Sequence, residues 1–177
     1  MKILIVGNFF QGSLDLSYAE SLEKTGCGIA RFDYLEEYRK LSPLARNRYI
    51  DRLCRNLFYA AENGKFLDRV RIHDPDLILI FKGAFIFPST LRKIQAAKRR
   101  VLFNFNPDNP FSPNGAASND FIRRAISIYD CYFTWGRFLI PKLKNAGARR
   151  AEYLPFAHDP EVHRPADVSA EEKKIYG

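Results

Sequence analysis

Cys27, Cys54 and Cys131 are the chain's three cysteines; they cannot all pair, and none lies in a Cys-x-x-Cys or Cys/His ligand spacing. That count excludes a disulfide-stapled scaffold and suits a reducing compartment. Long apolar runs are missing too. Nothing approaches the roughly 20 residues of a membrane span. The amino-terminal run Ile3 to Val6 is too short for a secretory leader and no small-residue cleavage site follows it. The expectation is a soluble, cytoplasmic protein.

Several motifs are also missing. The segment after the first apolar run, Gly7-Asn8-Phe9-Phe10-Gln11-Gly12-Ser13, is neither GxGxxG nor GxxxxGK[ST], so it predicts neither a dinucleotide fingerprint nor a P-loop. His158 and His163 stand five apart, a spacing that fits neither HxH nor HExxH, so no metal site is expected. No Ser/His/Asp or Cys/His pairing stands out. There is no internal repeat and no low-complexity tract.

What remains is a globular composition, with 46% hydrophobic and 27% charged residues. At 177 residues the chain suits one domain, which buries about 70% of its unfolded surface without a staple. Charge is unbalanced, with 28 Lys+Arg against 20 Asp+Glu and a net +8. That excess fits nucleic acid, anionic lipid, phosphorylated small molecules or simply a solvated basic surface. The basic stretches lack the interleaved aromatics of a single-strand binder.

Short apolar runs alternate with amphipathic ones. Lys2 to Gly7 (KILIVG), Leu77 to Phe81 (LILIF) and Val101 to Phe105 (VLFNF) read as buried parallel strands; Gly28 to Phe32, Tyr129 to Thr134 and Ala151 to Leu154 read as weaker ones. Between the first two, Asp15 or Ser17 is placed to cap a helix that ends at Gly26. Ile50, Leu53, Cys54, Leu57, Phe58 and Ala61 form one apolar stripe, and Asn63-Gly64 is expected to break that helix. Pro88 opens another helix with Ser89 or Thr90 as cap, one begins near Ser118, and Gly136 to Ala146 is the last. The alternation predicts an α/β fold, a Rossmann-like doubly wound parallel sheet of about six strands. Residues 1–154 form that domain. Residues 155–177, with Pro155, Pro160 and Pro165, read as a linker containing a short polar helix-former run, Ser169 to Lys174.

In open α/β sheets ligands sit beyond the carboxyl ends of the strands. Gly12 and Ser13 follow the first strand and offer N–H groups and a hydroxyl, or serve only as turn chemistry. Lys82 and Gly83 follow LILIF, where a lysine reaches into the cleft or lies beside a turn glycine. Asp108 and Asn109, restrained by Pro107 and Pro110, follow VLFNF as a base or sugar-hydroxyl ligand, or as an Asx turn. Trp135 is either an aromatic platform or core mass.

Four segments carry a resemblance. FKGAFIFPSTLRKI, FNFNPDNPF, IYDCYFTWG and AEYLPFAHDPEVHRP together resemble the amino-terminal half of the spore-maturation-protein-like (CgeB-type) glycosyltransferases, GT-B enzymes of the family 1/family 4 kind; the match spans Leu77 to Pro165. The resemblance implies one of two Rossmann-like domains facing a cleft, this one binding the sugar acceptor while its partner holds a nucleotide-sugar. It implies metal-free transfer of a sugar to a hydroxyl, with no resident cofactor. On this chain it implicates Gly12, Ser13, Lys82, Gly83, Asp108, Asn109 and His158, with Asp108 as the base. No second Rossmann-like domain follows, so residues 155–177 are expected to be the crossover toward it and the isolated chain is expected to be inactive. It also favours an anionic membrane or an anionic acceptor over nucleic acid as the partner of the basic surface. The alternatives are a non-catalytic, flavodoxin-like binding module and a basic-surface binder of anionic polymers or membranes.

Overall fold

The computed structural model describes residues 1–41, 48–113 and 118–159, with the backbone alone for 38, 39, 41 and 48–54. In chain order the elements are β1 (Lys2–Gly7), α1 (Leu14–Lys24), β2 (Gly28–Asp33), α2 (Tyr34–Leu41), α3 (Arg48–His73), β3 (Leu77–Phe81), α4 (Pro88–Ala97), β4 (Val101–Asn106), α5 (Asp120–Ala125), β5 (Cys131–Thr134), α6 (Ile140–Asn145) and β6 (Ala151–Tyr153). The six strands form one parallel sheet in the order β2-β1-β3-β4-β5-β6. The fold is α/β and Rossmann-like, as the alternation predicts. Strand order reverses between β1 and β3, and right-handed crossovers therefore put α1 on one face and α3 to α6 on the other.

Side-chain alternation builds two cores. Leu4, Val6, Ile78, Ile80, Leu102 and Tyr132 face α3 to α6, where they meet Phe66, Val70, Leu91, Ile94 and Leu143. Ile3, Ile5, Leu79, Phe81 and Phe105 face α1, against Ala19, Tyr18 and Leu22. The β-branched runs are buried on both sides, which is why they carry no polar alternation.

Several local expectations are corrected. α3 runs unbroken through Asn63-Gly64. Asn63 turns inward, donating to the carbonyls of Tyr59 and Phe85 and accepting from the Phe87 N–H, so its amide braces the β3–α4 loop instead of ending the helix. The buried face of α3 is Glu62, Asn63, Phe66 and Val70, rotated away from the expected stripe: Leu57 is 72% exposed and Ala61 faces solvent. The side chains of Ile50, Leu53 and Cys54 lie outside the described residues. α2 is not among the expected elements; Asp33 caps it, Oδ1 accepting from the N–H groups of Leu35 and Glu36 at 3.0 and 2.9 Å. Phe87 precedes α4 without a side-chain cap, so neither Ser89 nor Thr90 plays that part. Asn119 caps α5 through the Ile122 N–H. Residues 155–159 have no regular structure, and His163 and the run Ser169 to Lys174 lie outside the described residues.

Candidate functional site

The loops after β1, β3, β4 and β5 converge on the carboxyl edge of the sheet at the β1/β3 switch point. They enclose a cavity of about 480 Å³ lined by Asn8, Phe10, Gly12, Ser13, Asp15, Tyr34, Lys82, Asp108, Trp135 and Phe156. Of the sequence-predicted residues, Gly12, Ser13, Lys82, Asp108 and Trp135 line it.

Ser13 does so mainly as a cap. It is buried, and its Oγ accepts from the Leu16 N–H at 3.2 Å, leaving Asp15 free of the capping role expected of it. We expect Ser13→Ala to cost about 1 kcal/mol and lower Tm by roughly 2–4 °C in a thermal melt. An unchanged Tm would return the hydroxyl to a ligand role.

Released from capping, Asp15 reaches back to the end of β1, where Oδ2 accepts from the Asn8 N–H at 2.5 Å. Gly7 makes this approach feasible. A Cβ there would lie 2.2 Å from Asp15 Oδ2 and 2.8 Å from Asp15 Cβ, inside any tolerable contact. Burial pushes the Asp15 carboxyl up to about 6; the Asn8 N–H and the Lys82 charge oppose the shift without cancelling it. Asp33, beside it, accepts from the Phe9 N–H at 3.2 Å and so ties the β1 loop to the end of β2.

Lys82 adopts φ +59, a left-handed conformation rare for a residue with a side chain. Gly83 follows at φ +80; a side chain there would also press on the Tyr129 hydroxyl at 3.1 Å. The strained turn aims Lys82 across the cavity mouth, placing Nζ 2.7 Å from Asp108 Oδ2, with the two side chains 42% and 45% exposed. At that exposure the pair contributes little to stability. Its effect is to join the β3 and β4 loops. The β4 loop is held from beneath by Asn106, fully buried, whose Oδ1 accepts from the Asp108 N–H and whose Nδ2 donates to the Tyr132 hydroxyl.

Asn109 and His158 lie elsewhere. Asn109 Oδ1 accepts from the Phe111 N–H at 3.0 Å, an Asx turn that shapes the loop from outside the cavity. His158 is exposed and lines a neighbouring concavity against α1, with Tyr18, Leu22 and Phe156. Phe156 separates the two spaces. Its ring centroid is 6.0 Å from Trp135 and 6.2 Å from Phe105, so an aromatic wall runs from the core to the cavity rim.

No protein-family model matches the chain, and no curated protein matches it. The functional reading therefore rests on the residues themselves. Among the described residues no three His, Cys, Asp or Glu side chains gather as metal ligands, and no helix is long and apolar enough to cross a membrane.

Two cavity groups and one buried carboxylate behind them escaped sequence reasoning. Asp15 read as a cap. Tyr34 opens α2, which is not among the expected elements; burial, then the charges of Asp15, Asp33 and Glu62, raise its phenol above the usual range. Glu62 stands behind this group on α3. It is 3% exposed, neither carboxyl oxygen has a hydrogen-bond partner, and burial pushes it up to about 8. A glutamate beside an asparagine on a polar-looking helix face gives no sequence signal of burial.

Proposed function

We propose that this chain is the acceptor-side domain of a glycosyltransferase, moving a sugar from a nucleotide-sugar to a hydroxyl. The observation that carries the reading is Asp15, a half-buried carboxylate in a cleft at the strand-order reversal, with its carboxyl pushed up to about 6. A general base works best at that poise. Trp135 and Phe156 offer apolar rings to the face of a sugar, and Lys82 offers a cation to a departing or bound anion. Asp108, the base that the sequence suggests, shares the cavity but is half-exposed and held by Lys82. Asp15, with the raised proton affinity and no ion pair to hold it among the described residues, is the better placed of the two to take a proton, and Asp108 then orients hydroxyls. Residues 1–154 are the binding domain in this reading and 155–177 the crossover to a donor-binding domain.

Trp135 is the only tryptophan in the chain and stands half-exposed at the cavity rim, so its emission reports occupancy. Titration with a panel of mono- and oligosaccharides is expected to shift that emission saturably for at least one sugar. Lys82→Ala and Asp108→Ala are expected to weaken the response about tenfold each, consistent with loss of a charged hydrogen bond. A silent panel sinks the acceptor reading. Equal affinity in wild type and both variants moves the ligand out of this cavity.

A further inference from the structure

The net charge is not spread over the molecule. Residues 88–150 hold 12 Lys+Arg against 3 Asp+Glu, a net +9 that exceeds the +8 of the whole chain. Residues 1–87 hold 13 against 11, and residues 151–177 hold 3 against 6. The basic stretch is the part of the chain that supplies α4, α5 and α6, which the right-handed crossovers lay side by side on one face of the sheet.

Many of these cations are uncompensated. Lys98, Arg100, Arg123, Arg149 and Arg150 each meet a carboxylate, and Arg137 stacks over the Tyr153 ring at 4.0 Å. Arg92, Lys93, Arg99, Arg124, Lys142 and Lys144 are exposed and have no acidic partner among the described residues. Six like charges left unpaired, five on these helices and Arg99 just past the end of α4, repel one another, and the folded state tolerates this only at a cost in stability. The acidic groups Asp15, Asp33 and Asp108 lie instead at the cleft.

Two observations separate the partner classes. Base stacking needs aromatic rings among the cations, and no exposed aromatic stands on α4, α5 or α6. The turn that leads into α6, Arg137–Leu139, does present one bare ring: Phe138 is 62% exposed. One apolar ring just ahead of the helix that carries Lys142 and Lys144 suits an interface of headgroups and acyl chains, where the ring inserts and the cations stay with the phosphates.

We propose that the α4–α5–α6 layer is a docking surface for an anionic lipid bilayer, with Phe138 as its insertion point. Neither Phe138 nor the helix cations line the cleft cavity, so failure of docking leaves the acceptor reading untouched.

Flotation of the full 177-residue chain with phosphatidylcholine vesicles, with and without phosphatidylglycerol, tests it. Binding is expected only with phosphatidylglycerol and is expected to fall as sodium chloride rises. The triple variant Arg124→Glu, Lys142→Glu, Lys144→Glu should weaken partitioning roughly a hundredfold, at about fivefold for each cation lost. A triple of equal charge change on the other elements, Lys24→Glu, Arg31→Glu, Lys40→Glu, should weaken it far less, with circular dichroism checking that both fold. Phe138→Ser should lower vesicle binding about tenfold without changing its salt dependence. The proposal is overturned by absence of binding at low salt, by equal losses in the two triples, or by an unaffected Phe138→Ser. Tighter binding to an oligonucleotide than to vesicles, lost in the same triple, reassigns the surface to nucleic acid and overturns it as well.

Discussion

Glu62→Gln is expected to raise Tm by roughly 10 °C at pH 8.5 and to leave it nearly unchanged at pH 5. The folded chain holds the Glu62 carboxyl up to about 8 against an ordinary 4.5, chiefly because burial penalises the charged form. The nearby Lys65 charge only partly opposes that, and Glu37 adds to it. A raised folded-state value means that the native chain binds the proton more tightly than the unfolded one. The stabilisation is fully present below about 4.5 and is lost as pH rises through about 8. Above that the chain must bury a carboxylate with no hydrogen bond to either oxygen, at a cost on the order of 3–5 kcal/mol relative to acid pH.

Glutamine has the size of protonated glutamic acid and never ionises, so it removes the alkaline loss alone. Thermal melts from pH 5 to 9 decide the matter. The wild type should show Tm falling as pH rises from about 5 to about 8 and levelling off above that, and the variant a flatter curve. A variant that melts lower than wild type at pH 8.5 would show that the Glu62 charge is compensated in solution.

The elements that depend on local pattern were legible, and those that depend on long-range contact were not. Lys2–Gly7 and Leu77–Phe81 announce themselves because a strand buried on both faces needs an unbroken apolar run, and nothing else in the chain explains ILIV or LILIF. The helical stripe from Ile50 missed at Leu57 and Ala61 for the opposite reason. Its core face includes Glu62 and Asn63, polar residues whose place is fixed by the β3–α4 loop and by the groups around Tyr34, all far along the chain. Periodicity counts apolar residues, so it chose a face that leaves Leu57 in water.

The site divides in the same way. Lys82 and Asp108 were found because each follows a strong strand, where the topology places any ligand group. Asp15 was placed on its helix but given the wrong task. An acidic residue in a first turn is ordinarily a cap or a dipole partner. Only the close approach of Gly7, visible once β1 and α1 are packed, turns it into a cavity carboxylate.

That reassignment has the larger consequence for catalysis. If Asp15 takes the acceptor proton, Asp15→Asn lowers kcat of the complete transferase, with the donor-binding domain supplied, by roughly 10²–10⁴-fold. The effect should fall on kcat more than on KM, because asparagine keeps an oxygen for the Asn8 N–H and leaves the cavity's shape intact. The pH profile gives a sharper test. A base held at about 6 must be ionised to act, so the wild-type rate should fall as pH drops through that value, and in the variant that acid limb should vanish from the residual rate.

Stability should move the other way. Burial disfavours the Asp15 charge, so Asp15→Asn is expected to hold or raise Tm at pH 8, which excludes misfolding as the cause of lost activity. Asp108→Asn supplies the contrast. Asp108 lies at the cavity mouth on an exposed ion pair, so its loss should raise KM while the acid limb near 6 persists. If the limb instead disappears with Asp108 and survives in Asp15→Asn, the base is Asp108, and Asp15 serves to bind the β1 loop to α1.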